Sequence, residues 1–314
     1  MLRTLAVSFA IATLAVSPGL CAAQANPPAA EFPNHDASNK QPNPQSNSAA
    51  GSSSGEDSAA ENELLQAANQ SRERAGVPPL RMDETLREAA RAHAQQMVAN
   101  ERLDHQFSGE PSLVNRIAQV SLLPPNDALK SGAPKSDALK IDRAGENVAY
   151  APCPPDVHEA LMRSAPHRHN LLDQGFNVAG VAAIWSQGKL YVVQDFAHQI
   201  PSYSAEQSDN LVGRAVSEIR QQAGLPDLAQ LKPASLDEAA CSLAKESRPN
   251  AHLLATAYDN RKMITYTESH PEVLPQAAVN MLHDPGVRQF AVGACYARNA
   301  AYPTGTYWVA ILLY

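Results

Sequence analysis

Aromatic residues are scarce in this chain, 5% of 314 positions, and charged residues make up only 18%. Cysteine is rarer still, with four in the whole sequence. So few thiols exclude a small disulfide scaffold, and the fold must rest on buried apolar area. Positive charge is not in excess: 25 Lys and Arg face 32 Asp and Glu, a formal net charge of −7. That balance exerts no long-range pull on a phosphate backbone and excludes a general nucleic-acid binder. Past the N-terminus no apolar run approaches the ~20 residues that a membrane helix needs. No Gly-x-Ser-x-Gly elbow joins a strand to a helix, and no His-Glu-x-x-His helix occurs. Two familiar routes to a hydrolase are therefore missing. What remains is an apolar content of 44%, ordinary for a globular protein and too high for a wholly disordered one.

Met1-Leu2-Arg3 carries one positive charge, and Leu5 to Val16 is an apolar run closed by Pro18-Gly19. Small residues follow at Cys21-Ala22-Ala23 and Ala23-Gln24-Ala25. This is the pattern of a secretory signal peptide over 1–25, which predicts export to the periplasm or the external medium. No transmembrane segment is expected after cleavage. Three cysteines then remain, Cys153, Cys241 and Cys295. An odd count leaves at least one thiol unpaired or bonded to another chain. Cys241 and Cys295 form the candidate disulfide, because both lie in the second half. Residues 26–60, with Asn26-Pro27-Pro28 and Gly51-Ser52-Ser53-Ser54-Gly55, hold almost no large apolar side chain and read as a disordered tether.

Helical spacing begins at Glu61, with Leu64, Leu65, Ala68 and Arg72 on one face, and stops at Gly76-Val77-Pro78-Pro79-Leu80. A second helix starts at Asp83 and aligns Leu86, Ala89, Ala90, His93, Ala94 and Met97. Val178 to Trp185 and Leu190 to Phe196, joined by Ser186-Gln187-Gly188-Lys189, predict a hairpin. The same order then recurs. Arg220 to Leu228 echoes Arg72 to Leu80, Leu236 to Ala244 repeats the helix at Leu86, and two apolar runs, Phe290 to Tyr296 and Tyr307 to Leu313, close the chain. The mature chain reads as two homologous α+β domains, 61–200 and 201–314, split near Pro201.

Unusual polar residues gather in the first copy only: Leu103-Asp104-His105-Gln106, Gly145-Glu146-Asn147, and Ser164-Ala165-Pro166-His167-Arg168-His169-Asn170. With Asn69, Arg72, Gly76, Pro79-Leu80 and Arg116-Ile117, this set resembles the CAP superfamily (cysteine-rich secretory proteins, antigen 5 and pathogenesis-related proteins) in its bacterial SCP-domain form. The likeness covers roughly Leu64 to Ala197. It implies an α-β-α sandwich, a central antiparallel sheet between helical layers, present a second time in degenerate form. It also implies a cleft with two histidines and two acidic residues that can hold a divalent metal.

On this resemblance His105 and His167 match the histidines and metal ligands, Glu146 matches the first glutamate, and the second glutamate falls near Ser164. Asn147 lies beside the cleft. Two imidazoles and a carboxylate suit Zn²⁺ or another divalent cation. In the second copy, gapless alignment puts Val287 at the place of His167 and Lys262 at that of Glu146, so the site is expected to be lost there. Leu122 to Lys140, with Asp127-Ala128-Leu129-Lys130 and Asp137-Ala138-Leu139-Lys140, reads as a surface insertion.

The expected function is a secreted ligand-binding module, not an enzyme, whose partner is a small ligand such as a lipid, or an envelope or extracellular protein. One alternative is a metal-assisted envelope hydrolase acting on peptide, peptidoglycan or lipid ester, with Glu146 as catalytic base. The other is a structural or adhesive surface protein.

Overall fold

The computed structural model describes residues 55–122, 139–233, 235–246, 258 and 262–314, with the backbone of 6–10. Most of the expected leader and tether, and most of the insertion after Leu122, lie outside the described residues. The first elements are β1 (Ala6–Ala10), β2 (Gly55–Glu56), α1 (Ser58–Arg74), β3 (Arg81–Met82), α2 (Glu84–Ala99) and α3 (Leu113–Leu122). They are followed by β4 (Ile141–Ala151), α4 (Pro154–Arg163), α5 (Ala165–Leu172), β5 (Val178–Ser186) and β6 (Lys189–Gln199). Helix α1 begins before the expected Glu61. The Asp57 side chain accepts from the backbone N–H of Ala59 and Ala60, and this cap starts the helix a turn earlier. Asp83 caps α2 in the same way, accepting from Leu86 at 3.0 Å.

The first sheet runs β1-β4-β6-β5-β2, with β3 also on β5. Strands β4, β6 and β5 pair antiparallel, whereas β1 runs parallel to β4. Successive strand residues point to opposite faces, so the sheet buries two apolar layers. On one face Leu64, Ala68, Val157, Leu161 and Leu171 of α1, α4 and α5 pack on Ala149, Val181 and Val192. On the other, Leu86, Ala89, Leu113 and Ile117 of α2 and α3 pack on Ala144 and Val178. The result is a three-layer α-β-α sandwich around a central, mainly antiparallel sheet. Gly180 lets these layers close: a Cβ there would overlap the Leu86 and Arg87 backbone at the start of α2.

The chain continues with α6 (Ala205–Gln222), β7 (Ala229–Leu231), α7 (Leu236–Lys245), β8 (Lys262–Glu268), α8 (Gln276–Leu282), β9 (Gln289–Ala297) and β10 (Thr306–Leu313). Its sheet runs β7-β9-β10-β8. A buried arginine is repeated with its partners. Arg72 donates to the carbonyls of Pro78, Leu171 and Asp173, and Arg220 donates to those of Pro226, Leu282 and Asp284. Each staples its first helix to the turn after the helix that precedes the hairpin. Gly293 repeats Gly180, since a Cβ would overlap Leu236 at the start of α7.

Cys241 on α7 and Cys295 on β9 form a disulfide with a Cα–Cα distance of 5.1 Å. Cys153 is also disulfide-bonded, and no described cysteine is free.

Candidate functional site

Strand β4 brings the polar residues together because it alternates between the two helical layers. Glu146 faces the α2–α3 side and is fully buried. His105, on the loop after α2, donates from Nδ1 to Glu146 Oε1 at 2.7 Å. Arg116 on α3 donates to the other oxygen, Oε2, and to the His105 carbonyl at 3.3 Å. A second pair stands behind this one: Glu110 lies 3.5 Å from Arg116 and 2.7 Å from His93 Nδ1. The other His93 nitrogen meets the Asp104 carbonyl at 2.8 Å, so this apolar-face histidine is a satisfied core residue.

Asp195 completes the cluster. The β4–β6 register sets it directly opposite Glu146, and it too is fully buried. Neither of its oxygens has a donor among the described residues. Burial pushes the Asp195 carboxyl well up, and the Glu146 charge beside it adds to this against the pull of Arg116. Burial also works against the Glu146 charge. The His105 hydrogen bond, with Arg116 and both histidines nearby, outweighs it and holds Glu146 below the usual carboxylate range. Two carboxylates so placed share one proton, with Asp195 as the acid that donates to ionised Glu146.

Asn147, the next residue, points to the α5 side. Its Nδ2 donates to the His167 carbonyl at 3.1 Å and lies 3.4 Å from Gln194 Oε1. Asn170 donates to Asn147 Oδ1 at 3.0 Å and to the Glu146 carbonyl at 3.2 Å. His167 is thereby fixed against β4 through its backbone and is fully buried. Ser164 joins α4 to α5: its N–H donates to the Ala160 carbonyl and its own carbonyl accepts from Arg168. It holds a turn. His158 on α4 bonds across to α1, 2.9 Å from Ser71 Oγ, and burial with nearby Arg74 pulls its pKa down.

Among the described residues the second unit has no counterpart of Glu146, Asp195 or His167, but the substitutions differ from the gapless alignment. Lys262 pairs with Asp284 as Arg143 pairs with Asp173, and Gly286 and Gly175 each donate to that aspartate at 2.8 Å. Lys262 is thus the counterpart of Arg143, and Thr265 takes the place of Glu146. Ala310, paired with Thr265 and Gly293, takes the place of Asp195. The repeated arginine staple equates Leu282 with Leu171, which sets Ala278 at the place of His167. Val287 falls at the place of Phe176. The alignment slipped because the units differ in the number of residues between helix and strand.

Glu146 itself is poorly placed as a ligand to a divalent cation. Both Glu146 oxygens are already engaged, one by a guanidinium that repels a cation. Among the described residues no three His, Cys, Asp or Glu side chains converge as ligands. The arrangement instead satisfies a buried carboxylate from every side. Arg116 was visible in the sequence only as part of a motif, and Asp195 and Glu110 were not singled out. The signal for Asp195 was available: Gln194-Asp195 interrupts an apolar strand, and a polar pair in a central strand needs partners.

Parts of this chain are similar to known proteins. The model of the cysteine-rich secretory protein family (CAP) matches residues 65–196. The uncharacterized protein YkwD of Bacillus subtilis is 33% identical over 136 residues, covering 41% of this chain and 46% of its own. The chain therefore spans about half the length of that relative. An extracellular protein containing an SCP domain from Bacillus anthracis is 21% identical, with a TM-score of 0.35, over 45% of this chain and 41% of that one. Na-ASP-1 is 10% identical, with a TM-score of 0.42, over 81% of this chain and 89% of its own. No described helix is long and apolar enough to cross a membrane. Residues 65–196 are a CAP domain of the cysteine-rich secretory protein family.

Proposed function

We propose that this chain is an exported CAP-domain protein that binds an extracellular ligand and does not turn it over. The observation that carries this reading is the state of Glu146, fully buried with His105 on one oxygen and Arg116 on the other. A general base needs a free lone pair within reach of the proton it removes. Glu146 is fully buried, and both its oxygens are held by charged or ring N–H donors, so it lacks the reach of a general base. The cluster acts as a clasp that ties α3 and the α2–α3 loop to β4, while Asn147 and Asn170 tie α5 to the same strand. Export is supported by the apolar run at Leu5–Val16 and by the disulfide. The second unit keeps the fold without the cluster, and its role is to support the first or to present a further surface.

The test is turnover by the purified full chain on peptide, peptidoglycan-fragment and lipid-ester substrates, beside Glu146→Gln. No turnover above background is expected from either protein. The variant is expected to lose about 3 kcal/mol of stability, because Arg116 loses its nearer counter-ion and keeps only Glu110 at 3.5 Å. Hydrolysis by the native chain that Glu146→Gln abolishes would overturn the reading.

A further inference from the structure

The second unit repeats the first with one face opened. Its first helix, α6, matches α1 through the arginine staple. That match sets Gly213 at the place of Leu65, Ser217 at that of Asn69 and Gln230 at that of Met82. In the first unit these three residues close the space between helix and edge strand. Leu65 and Met82 pack on the core, and Asn69 bonds the Leu80 backbone in both directions, at 2.9 and 2.8 Å. In the second unit a groove of about 790 Å³ runs there instead, between α6 and β7.

Gly213 has no backbone reason to be glycine. It lies inside α6, where alanine is the better helix former, and its φ is not positive. A Cβ there would meet the Gln230 side chain at 2.7 Å, and its three nearest atoms all belong to that amide. The missing side chain therefore makes room in the groove and not in the core.

The lining is rich in amides and balanced in charge. Gln207, Asn210 and Gln221 come from α6, and Gln230 faces them from β7. Ser217 adds a hydroxyl, and Arg214 and Glu218 contribute one charge of each sign. Leu211 and Leu228 supply apolar area between them. A side-chain amide offers donor and acceptor together, which suits a ligand dense in hydroxyl and amide groups. An acyl chain would leave these amides unpaired, and a charged polymer would find no excess of either sign. An extended peptide would need a strand edge to pair with, and β7 has only three residues. From Gln207 to Gln221 the lining runs about 21 Å along the helix, the length of a chain and not of a single ring.

We propose that this groove binds an oligosaccharide of N-acetylated amino sugars. Its hydroxyl and acetamido groups pair with the four amides and Ser217, and its acetyl methyls rest on Leu211 and Leu228. This names the further surface of the second unit and rests on the reading of the chain as an exported binding module.

The probe is chitotetraose, a tetramer of N-acetylglucosamine, titrated by calorimetry into the full chain and into Gly213→Leu/Gln230→Met, which restores the pair of the first unit. The native chain should bind at one site, with backbone hydrogen exchange slowed along Gln207–Gln221. The filled variant should bind about tenfold more weakly or not at all, while its thermal unfolding stays at or above that of the native chain. Gln207→Ala with Asn210→Ala, both exposed on α6, should weaken binding about tenfold through lost hydrogen bonds. Maltotetraose, which has hydroxyls but no acetamido groups, should also bind about tenfold more weakly. No binding, equal binding by either variant, or binding of maltotetraose or an alanine tetrapeptide as tight as that of chitotetraose would each overturn the proposal. Chromatography of the recovered sugar separates the two ideas: cleavage that depends on the groove would sink the reading without turnover and leave the groove site standing.

Discussion

Asp195 offers the sharpest test of the shared proton. In the unfolded chain its carboxyl ionises near pH 4, while in the fold burial and Glu146 keep it protonated well above that range. A carboxyl raised by folding contributes its full stability below the unfolded value and loses it as pH rises. The loss is about 1.4 kcal/mol for each pH unit over which the pair keeps its proton. Glu146, held low, has the opposite sign: its contribution is lost as pH falls.

Asp195→Asn keeps the shape and one N–H donor towards Glu146 but cannot titrate. Its second N–H finds no assured acceptor, a pH-independent cost of about 1–3 kcal/mol. The variant should therefore be the less stable protein in mild acid and gain on the native chain by about 1.4 kcal/mol per pH unit as the medium approaches neutrality. The Glu146 contribution is common to both and cancels in the difference. Urea denaturation at half-unit steps from pH 5 to 8, with near-ultraviolet circular dichroism to verify native packing, measures this directly. Stability curves that stay parallel across the range would refute the shared proton.

Two other outcomes follow from the same structure. Arg72→Ala removes donors from the carbonyls of Pro78, Leu171, Asp173 and Phe176, and should cost at least about 3 kcal/mol in urea unfolding. A loss under 1 kcal/mol would mean that water replaces the guanidinium. Cys241→Ser with Cys295→Ser opens a loop of sequence separation 54 and should cost about 4 kcal/mol by chain entropy. Unchanged thermal unfolding of this double variant would show that α7 and β9 are held by apolar packing alone.

Much of the architecture was legible because it follows from periodicity. The stripe Leu86, Ala89, Ala90, His93, Ala94, Met97 is the buried face of α2, and the hairpin at Val178–Phe196 differs from β5–β6 only at its ends. The arginine staple was also written twice, in Arg72 to Leu80 and Arg220 to Leu228. What stayed hidden depends on register. Which residue of β6 faces Glu146 is set by the pairing of two strands more than forty positions apart, and no local pattern carries that information. The same limit misplaced Lys262 and Val287, since a gapless alignment cannot detect residues gained or lost in a turn. Asn147 and His167 meet through a backbone carbonyl, a contact that residue type alone does not announce.

The central claim is that Glu146 is committed to His105 and Arg116, and so serves as a clasp and not as a metal ligand or base. Calorimetric titration of the full chain with Zn²⁺, beside a His105→Ala/His167→Ala variant, tests it most directly. The account predicts no saturable site that distinguishes the two proteins. One-site binding in the native chain, abolished in the variant, would contradict it and show that these histidines hold a cation.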